Sequence, residues 1–219
     1  MARADVALYI VDDDPNAANS IAALAWSLGI DCRTFSSAEE FVALAPTLPP
    51  GCLMADLRMG GMSGLELQDA LAEMRLAFPI IVISGYADVN STVEAMRRGA
   101  LTVLEKPCSR EAIEKAIESG LEQARSAQKK QQLRTAVVRR FDALSERERQ
   151  VVQLLLTGEP NKTLARMLNV SMRTVDRLKA SVFEKMGVES AVELARIAAD
   201  LEPAIRPPHF AQHAASRRS

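Results

Sequence analysis

Residues 9–20 read YIVDDDPNAANS: an apolar run stops abruptly at three consecutive aspartates and a proline. With Val6, Ala7 and Leu8 in front of it, the run is apolar almost throughout, the pattern of a strand buried on both faces rather than one. Asp14 before Pro15 pairs a helix N-cap with a first helical residue. The strand therefore ends near Val11 and a helix starts at Pro15, which leaves Asp12 and Asp13 at the strand's C-terminal end. Like charges this close repel, and clustered carboxylates are costly unless a cation neutralises them.

The same rhythm repeats down the first half of the chain. Apolar runs at 6–11, 30–35, 52–56, 80–84 and 101–105 alternate with helical patterns near 15–28, 37–45, 64–75, 89–98 and from 109 onward. Strand and helix alternating in this way imply a parallel sheet covered by helices on both faces. Gly29 and Gly99 stand where helix C-caps are expected. In such sheets ligands gather at the carboxyl ends of the strands. There the sequence places Asp12 and Asp13, Asp56, Ser84, and Lys106 before Pro107. Alone, Asp12 and Asp13 read equally well as turn residues, Asp14 as a helix cap, and Ser84 or Lys106 as structural. Their joint placement gives them chemical meaning. Carboxylate oxygens suit Mg2+, an aspartate can act as a nucleophile and carry an acyl phosphate, and a lysine and a hydroxyl can neutralise phosphoryl oxygens.

These residues lie in the motifs VDDDP, MADLRMGGMSGLEL, IIVISGYADV and GALTVLEKP. With them, residues 1–125 resemble the receiver domain of a two-component response regulator. The resemblance implies a flavodoxin-like, doubly wound parallel five-stranded α/β sheet. It implies phosphorylation of Asp56 by a sensor histidine kinase, with Ser84 and Lys106 completing the catalytic set. It also implies a Mg2+ site made by Asp12, Asp13, Asp56 and the backbone carbonyl of Arg58. Three positions depart from the pattern. Gly60 stands where relatives commonly have Pro, predicting a looser loop. Val103 replaces an aromatic residue whose rotation reports phosphorylation. Cys108 replaces a common Phe and reads as a small core residue.

Charge divides the chain. Residues 1–118 carry a net −8 and residues 119–219 a net +7, which together give the −1 of the whole. A basic half invites a nucleic-acid partner, although two solvated surfaces of unlike charge would look the same. Beyond residue 109 the pattern stays helical and turns polar, which reads as a helical linker over 126–140. Four helices follow: Ser145 to Thr157, 161–168, Ser171 to Met186, and Ser190 to Asp200. Capping boxes are expected at Ser145/Glu148 and Ser190/Glu193. A tail over 203–219, rich in Pro, Ala and Ser, reads as disordered.

LSERERQVV, NKTLARMLNVSMRTV and KMGV resemble the small all-α LuxR/FixJ-type helix-turn-helix domain, here over 141–202. A receiver followed by this domain is the arrangement of the FixJ/NarL response regulators, and the wording is closest to the FixJ branch. From Ser171, Val175, Leu178, Val182 and Met186 form one apolar stripe at helical spacing. Arg173, Asp176, Arg177 and Ala180 form the opposite stripe, where they can meet base edges of double-stranded DNA. Lys162, Thr174 and Lys179 are candidates for phosphate. Leu178 stands where relatives often carry His.

The function expected is a DNA-binding transcription regulator activated by phosphorylation of Asp56, forming a homodimer when phosphorylated, and not an enzyme. Two rivals stand beside it. One is a phosphorylation-independent DNA binder with a vestigial receiver. The other is a Mg2+-dependent phosphohydrolase with an Asp nucleophile, which would need a D-x-D motif where Asp56 is followed by Leu57 and Arg58. Cys32, Cys52 and Cys108 form no CxxC pair, so neither a disulfide framework nor a zinc site is expected. No run is long and apolar enough for a membrane helix, and MARADVALYIVDDD does not match a secretory signal. A cytoplasmic protein with reduced thiols and no membrane partner is expected.

Overall fold

Five strands form one parallel sheet: β1 (Ala7–Val11), β2 (Cys32–Phe35), β3 (Gly51–Asp56), β4 (Ile80–Ser84) and β5 (Thr102–Glu105), in the order β2-β1-β3-β4-β5. The computed structural model describes residues 6–85 and 89–199. The central strands β3 and β4 are buried along their whole length, which is why their sequences carry no polar alternation. Helices α1 (Pro15–Ser27), α2 (Ala38–Leu44), α3 (Gly64–Glu73) and α4 (Val89–Arg97) follow the first four strands, and a single 3-10 turn, Ala45–Thr47, follows α2.

Alternate strand residues build two cores. Leu8, Ile10, Met54, Ile81 and Ile83 pack against Ile21 and Ala25 of α1 and against Ile117 and Leu121 of the following helix. Tyr9, Val11, Leu53, Ala55 and Val82 face the other way, against Phe41 of α2, Leu67 and Leu71 of α3, and Ala95 of α4. Each fully buried Leu, Ile or Val contributes about 1.5–3 kcal/mol relative to exposure. Gly51 is required where β3 begins, because a Cβ there would lie 2.3 Å from the Ala7 carbonyl oxygen. Register fixes the functional end: Val11 pairs with Ala55, Asp56 with Ile83, and Ser84 with Glu105. Asp12, Asp56, Ser84 and Lys106 therefore emerge at the same edge of the sheet.

The span 126–140, expected to be a helical linker, is part of one continuous helix, α5 (Arg110–Asp142). Nothing in 125–136 breaks it: the segment has no Pro or Gly and is rich in Ala, Gln, Lys and Arg, which favour helix. The chain divides into two compact units between Lys129 and Lys130, inside this helix.

The second unit holds α6 (Glu146–Leu156), α7 (Asn161–Met167), α8 (Met172–Met186) and α9 (Ala191–Ala199). Its core joins Val151 and Val152 of α6, Val182 and Met186 of α8 and Leu194 of α9 to Phe141, Val137 and Val138 from the end of α5. The last turns of α5 thus belong to this core, and the helical unit begins before residue 141. Ser145 and Glu148 make the expected capping box. Asn169, at φ 52°, turns the chain between α7 and α8. Gly187 ends α8 in the left-handed region, φ 66°, and Arg140 Nη1 donates to the Met186 carbonyl at 3.1 Å, placing a cation at the helix's negative end.

All three cysteines are free thiols. Cys108 is half-buried and lies outside both cores, a correction to its reading as a core residue. Burial pushes the Cys52 thiol up to about 12. The end of the last predicted helix at Asp200 and the tail over 203–219 lie outside the described residues.

Candidate phosphoacceptor site and DNA-facing helix

The strand ends converge. Lys106 Nζ donates to Asp12 Oδ2 at 2.9 Å and to Asp56 Oδ1 at 2.7 Å, joining residues 94 and 50 positions apart. Both carboxylates are buried, at 4% and 8% exposure. The Arg58 N–H donates to the second Asp56 oxygen at 2.7 Å, and the Asp14 N–H to Asp12 Oδ1 at 2.9 Å. Burial works against the Lys106 ammonium, but hydrogen bonds and charge from Asp56 and Asp12 outweigh it and raise its pKa above the ordinary lysine value. The Lys106–Pro107 bond is cis, and the Lys106 N–H donates to the Ser84 carbonyl at 2.8 Å, which fixes the lysine's starting point beside β4.

Around this triad lies an open cleft of about 230 Å³, lined by Asp12, Asp13, Asp14, Asp56, Arg58, Gly85 and Lys106. Ser84 sits at the end of β4, 1% exposed and one residue outside this lining. Asp14 is an N-cap, accepting from the Asn16 N–H at 2.9 Å. Asp13 is exposed, and its Oδ2 accepts from the Gly60 N–H at 2.8 Å. The Gly60–Gly61 loop, expected to be loose, is thus tied to Asp13. It is tied again beyond, where Glu39 of α2 accepts from the Met62 N–H at 2.7 Å. Val103 is half-buried and packs against the second core.

The donor set suits a hard divalent cation: every side-chain group is an oxygen, and three carboxylates against one ammonium leave about two negative charges to balance. Among the described residues, however, no three such side chains are posed together as a ligand set. Lys106 bridges two of them and Gly60 holds the third.

In the helical unit, Val175, Val182 and Met186 are fully buried, so α8 turns its apolar stripe inward as its spacing predicts. Arg173, Asp176, Arg177 and Ala180 are exposed, as is Lys162 of α7. Three candidates already have partners within the protein. Lys179, half-buried, donates to Asn161 Oδ1 at 2.9 Å, and Asn161 Nδ2 donates to Asp176 Oδ1 at 3.3 Å. Thr174 joins the Ser171 cap, its Oγ1 3.0 Å from Ser171 Oγ.

Sequence reasoning missed Asn161, which braces α7 to α8. It missed Glu39 as well, and the second role of Glu148. The Glu148 carboxylate accepts from Ser181 Oγ at 2.7 Å and from Lys185 Nζ at 2.8 Å, tying α6 to α8. No local pattern announces these contacts, because each partner lies on a different element: a loop for Glu39, another helix for Asn161 and Glu148.

Comparison with known proteins agrees with both halves. Residues 8–118 match the response regulator receiver domain family, and residues 142–198 match the luxR family of bacterial regulatory proteins. The transcriptional regulatory protein FixJ of Rhizobium meliloti is 39% identical over 194 residues, covering 89% of this chain and 95% of that protein. FixJ of Bradyrhizobium diazoefficiens is 37% identical over 191 residues, covering 87% and 93%. The solved structure of the response regulator StyR covers 90% of this chain and 99% of its own, with 33% identity and a TM-score of 0.76. Full-length FixJ from B. japonicum covers 90% and 98%, with 36% identity and a TM-score of 0.56.

Proposed function

This chain belongs to the response regulators that join a receiver domain to a LuxR-type DNA-binding domain, and on that premise we propose that Asp56 is its phosphorylated residue. Such a protein is a phosphorylation-activated transcription regulator rather than an enzyme. The observation that carries the assignment is Lys106 Nζ reaching both Asp12 and Asp56 in one cleft. An Asp56 oxygen attacks the phosphorus of a phosphohistidine donor, the P–N bond breaks, and the imidazole departs with the electron pair. Lys106 neutralises charge on the transferred group, and the Ser84 hydroxyl, at the end of β4, donates to one of its oxygens.

Receiver domains of this family generally bind Mg2+ at the phosphorylation site. Here Asp12, Asp13, Asp56 and the Arg58 carbonyl would hold it. It would supply the positive charge that the carboxylates and the phosphoryl oxygens both need.

The family implies a histidine kinase as phosphodonor and DNA as target. Capture of the phosphoryl group at Ser84 biases the loop after β4 and the face of α4 and β5. Val103 offers no ring to swing, so the signal travels through backbone and helix position instead. Val89, Val93 and Met96 are exposed at 78%, 42% and 47% along one stripe of α4, which supports that face as a homodimer contact. On DNA, Arg173, Arg177 and Ala180 meet base edges and Lys162 meets phosphate, with Thr174, Asp176 and Lys179 setting the pose of α8.

The test is acetyl phosphate with Mg2+, read by intact mass. A gain of about 80 Da that is absent in Asp56→Asn is expected from aspartyl-phosphate chemistry. No gain in the unsubstituted chain would favour regulation without phosphorylation.

A further inference from the structure

We propose that the Gly60 N–H is a latch on Asp13, competing with a divalent cation for that carboxylate, so that cation binding releases the loop over 58–62. The proposal rests on the reading of Asp13 as a cation ligand. Its basis is particular to this chain. Gly60 N–H donates to Asp13 Oδ2 at 2.8 Å. Proline at this position would have no N–H to give, so the bond exists only because residue 60 is not proline.

The latch gives Asp13 a different partner from those of Asp12 and Asp56, although all three line one cleft. Asp13 is exposed and bound to the loop, while Asp12 and Asp56 are buried and bound to Lys106. No three carboxylates are posed as a ligand set among the described residues. A hydrogen bond from a backbone N–H to a charged oxygen is among the stronger ones, so turning Asp13 toward its neighbours has a real opposing term. The loop does not come loose altogether when Gly60 is released. Glu39 still accepts from the Met62 N–H at 2.7 Å, and that bond holds the Glu39 carboxyl below the usual carboxylate range. Cation occupancy thus removes the middle one of three anchors on the loop, leaving Arg58 on Asp56 and Met62 on Glu39. Gly60 is a positioning residue in this scheme, acting through Asp13.

The experiment is Mg2+ titration of the full-length chain by calorimetry, with Gly60→Ala and Gly60→Pro alongside. Alanine keeps the N–H, and its Cβ would meet nothing nearer than Asp13 Oδ2 at 3.6 Å. Proline removes the N–H. Expected is Mg2+ affinity about tenfold tighter in Gly60→Pro, the worth of one hydrogen bond to a charged group, and unchanged in Gly60→Ala. Equal affinity in all three overturns the latch while leaving Asp13 a ligand. No binding in any of them overturns both. Should Gly60→Pro fail to fold, the Gly60 amide proton of the 15N-glycine-labelled unsubstituted chain decides: a shift and faster exchange at saturating Mg2+ support the latch, and an unmoved signal overturns it.

Discussion

At the scale of single residues, Glu148 shows how one carboxylate can do work that its local motif only half announces. Its spacing from Ser145 marks a capping box, and both capping bonds are present. The same carboxylate, 4% exposed, also accepts from Ser181 and Lys185 of α8. The Lys185 ammonium, then the Ser181 hydroxyl and the Ser145 N–H, hold its carboxyl down at about 2. A depressed folded-state pKa means the unfolded chain binds the proton more readily. The stabilisation is therefore fully present above the ordinary glutamate value near 4.3 and is lost as pH falls through about 2. Glu148→Gln should cost about 1.5–3 kcal/mol at neutral pH, the range for hydrogen bonds to a charged group. Urea unfolding at pH 7 and again near pH 3 should show the gap between the two proteins narrowing; a gap that stays constant would remove Glu148 from this role. The meeting of Asp12, Asp56, Ser84 and Lys106 was legible because each ends a strand or directly follows one, and strand ends are written in the sequence. The latch on Asp13, the Glu39 anchor and the Asn161 brace were not legible. A backbone N–H has no letter of its own, and a bond between helices depends on packing that no local spacing encodes.

At the scale of elements, α8 separates groups that the helical wheel alone places together. Spacing predicts both its buried stripe and its exposed stripe, and burial agrees at Val175, Val182 and Met186. It cannot tell that Lys179, adjacent to the exposed stripe, is engaged by Asn161 of α7. Lys162 is exposed on α7, so the two lysines should behave differently. Lys162→Ala should reduce the slope of log affinity against log salt by about one and weaken all DNA sequences alike. Lys179→Ala should leave that slope nearly unchanged and instead lower the stability of the helical unit, since it frees Asn161 and Asp176 from their brace. Fluorescence anisotropy of the full chain on duplex DNA over a salt series, paired with thermal unfolding, distinguishes them; equal slope changes would place Lys179 on phosphate after all. Element boundaries followed the same logic. Strands bounded by turns and helices with side-chain caps fell close to their predicted limits, as at Ser63, Ser145 and Ser171. The helical linker expected over 126–140 is helical, as part of the unbroken α5 that runs to Asp142; falling amphipathicity beyond Ala124 marks where it leaves the sheet's core, while backbone propensity keeps the helix going.

At the scale of the whole molecule, charge decides between two ways of activating it. The first 118 residues carry −8 and the remainder +7. Phosphorylation adds about −1.5 to −2 more to the acidic half. Taken as simple electrostatics, that addition opposes binding to a polyanion, and at physiological salt it is screened beyond about 8 Å. Any gain in DNA affinity must therefore come from geometry. If phosphorylation pairs two chains through α4, the gain appears only on DNA carrying two half-sites, where the second contact becomes intramolecular and raises affinity by orders of magnitude. If it instead releases the helical unit from inhibition, a single half-site gains as much as each half of a pair. The prediction follows from the exposed Val89, Val93 and Met96 stripe. Acetyl-phosphate-treated protein should bind a two-half-site duplex more tightly by at least tenfold, the scale of avidity, and a one-half-site duplex no more tightly than untreated protein. Val93→Glu, which puts a charge in the middle of the stripe, should abolish the first gain and leave phosphorylation of Asp56 intact. A comparable gain on a single half-site would assign activation to release, with the α4 stripe serving some other contact.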